Sequence, residues 1–435
     1  MAMTTPVAEP QNLQTIKRGY HRRVLDRLHL EQLDKMAPDV ARQEVVALIR
    51  SMLGQETVPL SLTERDELVQ EVLDEIFGFG PLELFLRDPL VSDILVNRAD
   101  QIYVEKKGRL YKTDVTFQDD AHLMRIIDRI VSRVGRRVDE SSPMVDARLP
   151  DGSRVNAIIP PLALDGPCMS IRRFGSDPLT ADKLLANQAL TPAMLEFLRC
   201  CVVARLNMLI SGGTGAGKTT LLNVLSGFIP EHERVVTIED AAELQLKQEH
   251  VVRLETRPPN VEGQGAVRQR QLMMNSLRMR PDRIVMGECR GEEAIDMLQA
   301  MNTGHDGSLT TIHANTPRDA LGRLETMVSM ANLNLPERAI RQQIASALQL
   351  VVQLSRLSDG SRRLLSIAEI TGMEGEVVCM QELFRFERQG LTETGAVKGR
   401  FCGAGIRPHC ADRLASVGQK FNPAWMEEVF AISNA

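Results

Sequence analysis

Apolar residues in the first part of the chain are spaced as in helices. They recur three or four positions apart in three runs: Ile16, Tyr20, Val24 and Leu28, then Val45, Leu48 and Ile49, then Leu68, Val72, Leu73 and Ile76. Such spacing places apolar side chains on one face of a helix, so we predict a helical unit over residues 15–80. Residues 1–14 contain Pro and Thr without this pattern, and we expect a disordered tail there.

From residue 93 onward the pattern changes to short apolar runs typical of strands. These runs cover residues 94–97, 101–104, 110–113, 154–159 and 169–173. Lys107-Gly108 predicts a hairpin turn between the second and third runs, and an amphipathic stretch predicts a helix over 121–134. We therefore predict an α+β unit over 81–174, followed by a Gly- and Pro-containing linker over 175–188.

Residues 189–386 alternate between continuous apolar runs and helical patterns. The predicted strands are 206–210, 235–238, 251–254, 284–286 and 309–312, and the predicted helices include 266–277, 292–301 and 318–330. Continuously apolar strands that alternate with helices indicate a mostly parallel sheet covered on both faces. We predict an α/β domain here and a C-terminal extension over 387–435, in which we identify no catalytic or binding residues.

The strand predicted at 206–210 leads into the octet Gly-Gly-Thr-Gly-Ala-Gly-Lys-Thr. This is the pattern of a loop that binds the phosphates of a nucleoside triphosphate. Its glycines let successive backbone N–H groups curl around anionic oxygens, and the following helix adds its positive N-terminal end. The expected contacts are Gly212, Gly213, Thr214, Gly215, Ala216, Gly217, Lys218, Thr219 and Thr220. Lys218 is expected to reach the β- and γ-phosphates, and the Thr219 hydroxyl to ligate Mg²⁺.

Acidic residues follow two later strands. Glu239, Asp240 and Glu243 follow the strand at 235–238, and Glu288 follows the strand at 284–286. Ligands of open α/β sheets bind beyond the carboxyl ends of the strands, so both groups are expected to face the nucleotide. Hydrolysis requires one carboxylate to hold the metal through water and another to orient or deprotonate the attacking water.

Two histidines, His305 and His313, bracket the strand predicted at 309–312. Beside a phosphate, a histidine could sense the γ-position through a hydrogen bond. Two lone histidines are also compatible with purely structural roles. A zinc site is not indicated, because no third soft ligand has suitable spacing.

Composition narrows the choice of partners and compartment. The 435 residues carry a net charge of −5, which gives no reason to expect nucleic acid as the partner. The seven cysteines show no Cys-x-x-Cys spacing, so we expect small buried hydrophobes in a reducing compartment. No apolar stretch is long enough to span a membrane, and we expect a cytoplasmic protein.

The order of these motifs resembles that of the type II and type IV secretion ATPases. Their motifs are called the Asp box (here Thr237 to Glu243), the Walker B motif (ending at Glu288) and the His box (Thr303 to Thr316). The segment from Leu277 to Arg283, Leu-Arg-Met-Arg-Pro-Asp-Arg, resembles the tight-adherence (Tad or Flp-type) pilus assembly ATPases most closely. The resemblance extends back through residues 148–156 and 170–174.

This resemblance implies a RecA-like ATPase domain preceded by a PAS-like α+β domain, in a homohexameric ring. ATP with Mg²⁺ would lie between the two domains, and arginines of the N-terminal domain would close on its phosphates. The matching positions are Arg154 and Arg172, with Arg148 a weaker match. An inner-membrane pilus platform is the implied partner, so the chain would be peripheral to the inner membrane.

The same resemblance assigns roles within the predicted site. Glu243 would be the base or water-orienting residue, Glu288 would contact Mg²⁺ through water, and His305 and His313 would be the His-box pair. The chain also departs from the pattern. Gly287 stands where many phosphate-loop enzymes have a metal-binding Asp, and Ala241 replaces a common proline of the Asp box. The four-cysteine module of many extension ATPases is absent from the sequence.

Two alternative functions remain open on the sequence alone. A motor that moves nucleic acid could use the same fold, although the chain has no evident surface of alternating basic and aromatic residues. A nucleotide-gated scaffold could bind ATP without useful turnover. A GTPase is the least favoured reading, because the sequence contains no Asn-Lys-x-Asp motif for the guanine base.

Overall fold

A computed structural model divides the chain into two compact units, Met1–Phe174 and Gly175–Ala435. It describes Arg23 and residues 36–55, 61–106, 108–173, 180–259, 263–331 and 333–432. The predicted tail and the first predicted helix lie outside the described residues, apart from Arg23. None of the described helices is both long and apolar enough to span a bilayer.

A helical pair precedes the sheet of the first unit. Helix α1 (Pro38–Gln55) packs against α2 (Leu62–Phe77) through residues that the periodicity identified, and Val45, Ile49, Leu68 and Val72 are buried between them. Helix α2 begins at a capping box, in which Ser61 and Glu64 satisfy each other's backbone N–H groups. The helical pattern of this segment is therefore confirmed.

The first unit continues as a six-stranded sheet with one long helix. After a 3₁₀ turn and the short helix α3 (Glu83–Arg87), the strands pair antiparallel in the order β3-β2-β1-β6-β5-β4. Helix α4 (Asp120–Arg133) buries its apolar face in the same core as the sheet. The strands are β1 (Val91–Arg98), β2 (Gln101–Lys106), β3 (Arg109–Lys112), β4 (Met144–Arg148), β5 (Arg154–Ile158) and β6 (Cys168–Arg172). The predicted α+β arrangement is confirmed.

The second unit is built on one ten-stranded sheet. Its strands are β7 (Met208–Gly212), β8 (Val235–Glu239), β9 (Val251–Glu255), β10 (Arg283–Met286), β11 (Leu309–Ile312), β12 (Leu350–Arg356), β13 (Arg362–Glu374), β14 (Val377–Leu391), β15 (Val397–Gly403) and β16 (Val429–Ala431). The helices are α5 (Ala181–Ala186), α6 (Pro192–Val203), α7 (Lys218–Ser226), α8 (Gln269–Ser276), α9 (Glu293–Asn302), α10 (Pro317–Met330), α11 (Glu337–Ala347), α12 (Ala411–Ser416) and α13 (Ala424–Glu427).

This sheet is mixed, with five parallel and four antiparallel pairings among the described strands. Its order is β16-β15-β14-β13-β12-β7-β11-β10-β8-β9. The strands from β7 to β9 run parallel, as predicted, and β12, which was not predicted, joins them in parallel beside β7. The strands from β12 to β16 pair antiparallel, so the expectation of a mostly parallel sheet was wrong for this half.

The segments expected to connect or extend the domain are part of its core. Strand β14 runs through residue 386, so the boundary predicted there falls inside a strand. Phe384, Phe401 and Met426 are buried in one cluster with β7 and α7. In the predicted linker, residues 181–186 form α5, and Leu184 packs into that same cluster. Helix α8 begins at Gln269, three residues later than predicted.

Both faces of the parallel half are covered. On β7, Met208 and Ile210 belong to one hydrophobic cluster, whereas Leu209 belongs to a second cluster formed with α9, α10 and α11. Every residue of β7, β8, β10 and β11 is buried. This explains why these strands have continuous apolar runs rather than alternation.

A buried ion pair holds the amino edge of the sheet. Arg283, at the start of β10, is completely buried, and its Nε and Nη2 donate to the two carboxylate oxygens of Glu233 at 2.6 and 3.1 Å. Its Nη1 donates to the carbonyl of Val202 at 2.6 Å. A Cβ on Gly307 would lie only 2.6 Å from that Nη1, so the position requires glycine. Arg283, the second arginine of the Arg-Pro-Asp-Arg segment, therefore has a structural role in this buried ion pair.

We predict that Glu233→Ala destabilises the second unit by about 3–5 kcal/mol, because it leaves a buried guanidinium without its carboxylate. Denaturant unfolding of the full chain, followed by circular dichroism, measures the effect. Arg407→Ala is the matched control, since the Arg407–Asp412 pair is exposed on both sides and its loss should leave the midpoint unchanged. Equal shifts in the two variants would contradict the assignment of a structural role to the buried pair.

Candidate nucleotide site

Four parallel strands bring the phosphate loop, His313, Glu288 and the Asp box to one edge of the sheet. Strand β11 lies between β7 and β10, and β8 lies on the far side of β10. Ile312 pairs with Ser211, Met286 with Thr310, and Ile238 with Met286. The residues that follow these strands therefore emerge side by side. They are the phosphate loop, His313, Gly287-Glu288 and the Asp box.

The phosphate loop has the conformation that its glycines permit. Gly215 and Gly217 have φ values of 69° and 95°, which residues other than glycine rarely adopt. Helix α7 starts at Lys218, and the Leu221 N–H donates to the Gly217 carbonyl at 3.0 Å. A Cβ on Gly212 would lie 2.7 Å from the Leu354 carbonyl oxygen, so β12 leaves no room for a side chain there. The predicted order of strand, loop and helix is confirmed.

The other predicted contacts belong to the same loop and the first turn of its helix. Ala216 is buried and its N–H donates to the Gly213 carbonyl at 3.3 Å, whereas Thr214 is exposed. Thr219 and Thr220 are partly exposed on α7. Backbone N–H groups at such a helix start are an anion-binding arrangement.

The Lys218 amine lies at the centre of the site. It donates to the Gly212 and Gly213 carbonyls, both at 3.1 Å, and lies 3.3 Å from His313 Nε2. Burial lowers the pKa of Lys218, and Glu288 opposes that shift. The amine thus contacts groups of its own loop and His313, the residue that follows the neighbouring strand β11.

From His313 a chain of polar contacts crosses the carboxyl edge. His313 Nε2 lies 3.1 Å from Glu288 Oε1, and the other oxygen of Glu288 accepts from Arg290 at 2.8 Å. Arg290 also donates to Asp240 at 3.1 Å. Burial lowers the pKa of His313, with Lys218 adding to the shift and Glu288 opposing it. When Nε2 carries the ring proton, His313 donates to Glu288.

The Glu239 side chain fixes the end of the Asp box. One of its oxygens accepts the backbone N–H groups of Glu243 and Leu244, at 2.7 and 2.9 Å. Burial raises the pKa of Glu239, and these two N–H groups oppose the shift. Its side chain occupies the space beside Gly287, where an added Cβ would lie 3.0 Å from Glu239 Cγ. Gly287 stands where many phosphate-loop enzymes have a metal-binding Asp. Here the carboxylate beside that position comes from Glu239 on the neighbouring strand β8.

Glu243 is half-buried at the same edge. Its charge is among those that raise the pKa of Arg290, behind the hydrogen bond from Arg290 to Glu288. The Asp-box carboxylate and the Walker B carboxylate therefore act on one guanidinium. Sequence reasoning placed both carboxylates correctly at this edge but gave no role to Arg290, whose only signal was its position two residues after Glu288.

The expectation that His305 joins this site was wrong. Its carbonyl accepts from Ser308, which precedes β11, and its N–H donates to Ala300 at the end of α9. Leu309 pairs with Met208, the first residue of β7, so His305 lies at the amino edge of the sheet. A strand passes through the sheet from one edge to the other, and the two histidines that bracket β11 consequently end at opposite edges.

The three predicted arginines form one row in the first unit. Arg148 pairs with Arg154, Arg154 pairs with Arg172, and Arg172 pairs with Asp93 across four adjacent strands. Directly paired residues of antiparallel strands project from the same face. Only the last pair is complementary in charge, with Arg172 Nε donating to Asp93 at 3.1 Å. Like charges placed opposite one another are unfavourable, which is the electrostatic condition for binding an anion.

The loop after His313 is held by a residue that sequence reasoning did not identify. The Gln353 side chain, on β12, donates to the Ala314 and Asn315 carbonyls at 3.2 and 3.1 Å. Among the described residues, no group of three or more His, Cys, Asp or Glu side chains is arranged to hold a metal ion. The seven cysteines are free, and five are buried, as expected from their spacing.

Comparison with known proteins gives the family. The profile of the type II/IV secretion system protein family matches residues 75–402. A putative conjugal transfer protein of Mycobacterium tuberculosis H37Rv is 40% identical over 70% of this chain and 87% of its own length. The type IV secretion system protein PtlH of Bordetella pertussis is 35% identical over 66% of this chain and 92% of its own length.

Among solved structures, the ATPase DotB of Legionella pneumophila is 23% identical, with a TM-score of 0.48, over 70% of this chain and 82% of that one. The family match includes the phosphate loop, the Asp box, Glu288 and His313. The chain therefore belongs to the type II/IV secretion system protein family, and it is an ATP hydrolase.

Proposed function

We propose that the chain is a magnesium-dependent motor ATPase that works as a homohexameric ring. In this proposal it drives assembly of a tight-adherence or related type IV pilus through an inner-membrane platform, from the cytoplasmic side. The observation that carries the proposal is the contact of Lys218, His313 and Glu288 at one edge of the sheet. These groups meet where the γ-phosphate of a bound nucleotide would lie.

The oxygen atoms at this edge fit a magnesium ion held largely through water. Mg²⁺ prefers oxygen ligands and keeps several waters beside one or two carboxylates. Both oxygens of Glu288 already bond to His313 and Arg290, so its contact would be water-mediated. Glu239 Oε1 is buried without a hydrogen-bond partner among the described groups, and Thr219 would add its hydroxyl. A bound magnesium would neutralise charge on the β- and γ-phosphates.

In the proposed reaction, Glu243 orients the attacking water and accepts its proton. Lys218 exchanges its contacts with the loop carbonyls and His313 for oxygens of the β- and γ-phosphates. His313 then forms a hydrogen bond with the γ-phosphate. Because His313 also contacts Glu288 at 3.1 Å, this bond changes the surroundings of Glu288 when the γ-phosphate is present. Positive charge facing the departing phosphoryl group stabilises the transition state.

The arginine row supplies the remaining charge in this proposal. Arg154 and Arg172, assisted by Arg148, would bind the phosphates when a first unit closes on a second unit. The mutual repulsion of a row of arginines falls when an anion binds among them. Closure around ATP and opening after hydrolysis would then be the mechanical stroke, since rigid-body closure around a ligand is a common source of such motion.

A motor that moves nucleic acid is the second candidate, because a relative is described as a conjugal transfer protein. DNA that stimulates ATP hydrolysis, with a steep salt dependence of binding, would favour this function. Stimulation by an inner-membrane platform protein, and not by DNA, would favour pilus assembly. Sedimentation with a non-hydrolysable ATP analogue tests the hexamer.

We expect Lys218→Ala and Glu243→Gln to lower ATP turnover by different routes. Lys218→Ala should weaken ATP binding and reduce kcat roughly 10²- to 10³-fold, because a charge that faces the transferred phosphoryl group is lost. Glu243→Gln should bind ATP normally and lose about 10²- to 10⁴-fold in kcat, as expected for a missing general base. Phosphate-release assays with and without magnesium measure both. Full turnover in either variant would refute the role assigned to that residue.

Nucleotide affinity should increase as the pH falls from 8 toward 6. The pKa of His313 is lowered by burial in the free site, and a neighbouring phosphate raises it again, so ATP binding takes up part of a proton. At high pH the His313 ring is neutral in both the free and the ATP-bound protein. The increase in affinity therefore appears only as the pH falls toward the range in which histidine takes up a proton. Titration of an ATP analogue in the presence of magnesium measures this effect. His313→Gln should bind with an affinity that changes less over this range; an unchanged pH dependence would exclude His313.

The double variant Arg154→Ala/Arg172→Ala should lose on the order of 10³-fold in kcat if the row acts on the transition state. Arg109→Ala is the control, because it removes one positive charge from the exposed strand β3 of the same unit. Thermal unfolding checks that both variants fold. A double variant that folds and turns over like the control would contradict the proposal for the row.

A further inference from the structure

The hairpin formed by β12 and β13 presents two arginines that the proposed reaction does not use. Arg356 ends β12 and Arg362 begins β13, and the two are paired across the hairpin. The turn between them is rigid, because Asp359 accepts the backbone N–H groups of Ser361 at 2.9 Å and of Val397 at 2.7 Å. The positions of both arginines at the base of the turn are thus fixed by the backbone.

Both arginines lie against the middle of the phosphate loop. Arg362 Nε donates to the Gly215 carbonyl at 2.8 Å, and its Cδ would lie 3.5 Å from a Cβ on Gly217. Arg356 Nη1 would lie 3.8 Å from a Cβ on Gly215. These residues all belong to the second unit. The hairpin therefore brings two guanidinium groups to the loop from within the same chain.

This arrangement has an electrostatic cost that an anion would relieve. Two like charges on directly opposed strand positions repel each other. Both side chains are exposed to solvent, where a ligand can reach them. The bond to Gly215 uses one of the five N–H donors of Arg362. Paired guanidinium groups match the oxygens of a phosphate in geometry as well as in charge.

The position along the loop indicates which phosphates the pair would contact. In a phosphate loop the backbone N–H groups hold the α- and β-phosphates, and the lysine reaches the β- and γ-phosphates. Gly215 and Gly217 belong to the backbone part. At the γ-end, the charged groups acting on His313 are Glu288, Lys218, Arg290 and Arg323. The hairpin arginines thus adjoin the end of the loop that holds the diphosphate.

We propose that Arg356 and Arg362 form a second cationic wall of the nucleotide site that binds the α- and β-phosphates. Such a wall recognises the diphosphate group that ATP and ADP share. It contributes equally to the ground state and the transition state, so its loss raises KM with a much smaller change in kcat. This inference rests on the proposed function only in taking a nucleotide as the ligand.

The test compares Arg356→Ala/Arg362→Ala with Arg388→Ala. Arg388 is an exposed arginine that donates to Ser358 in the same turn at 3.4 Å, so its loss removes one positive charge from the same surroundings. Binding of a fluorescent ADP, with inorganic pyrophosphate as competitor, is measured beside steady-state hydrolysis of ATP. The double variant should bind ADP, ATP and pyrophosphate about tenfold or more weakly, in similar proportion, with kcat changed less than about threefold. Arg388→Ala should match the unmodified protein.

Three results would overturn the inference. Unchanged ADP affinity in the double variant would show that Arg356 and Arg362 do not bind the diphosphate. Weaker ATP binding with normal ADP binding assigns the arginines to the γ-phosphate. Recovery of normal affinity by Arg362→Gln in place of Arg362→Ala, without a positive charge, reduces the contact to a clamp on the loop backbone. Failure of the proposed function is distinct, because it appears as absent hydrolysis in the unmodified protein, whereas ADP binding can still be measured.

Discussion

The site depends on one constraint, namely that the parallel strands β7, β11, β10 and β8 end at the same edge of the sheet. The register of their pairing determines where the segment after each strand leaves the sheet. Because β11 lies between the strand that carries the phosphate loop and the strand that carries Glu288, His313 emerges between Lys218 and Glu288. Backbone hydrogen bonding alone thus brings together groups that are far apart in sequence.

The two edges of this sheet differ in how their arginines are paired and in how far they are buried. At the amino edge, the Arg283 side chain is fully buried and its donors are matched by Glu233 and a carbonyl. At the carboxyl edge, the Arg290 side chain is 56% exposed and shared between Glu288 and Asp240. The first arrangement resists change because breaking it leaves a buried charge. The second can rearrange at low cost when a phosphate arrives.

The sequence was sufficient where the signal was local. The phosphate loop, Glu239, Glu243, Glu288 and His313 each lie at the end of an apolar strand or within a few residues of it, and the parallel sheet implied by those strands places them together. The remaining features depend on pairing between distant segments. His305 is close to His313 in sequence, yet a strand separates them, and the contacts of Arg290 and Arg362 form only once β8, β10, β12 and β13 are assembled. The antiparallel strands were missed because exposed polar positions interrupt the apolar pattern of β14.

The contact between Gly287 and Glu239 has a consequence for the history of this family. Residues at the ends of two neighbouring strands occupy one space beside the site, and here the side chain comes from Glu239 of β8 while the residue after β10 is glycine. A larger residue at 287 requires the Glu239 side chain to shift, and a smaller residue at 239 would leave a gap that a side chain at 287 could fill. The two positions are therefore expected to covary among related sequences.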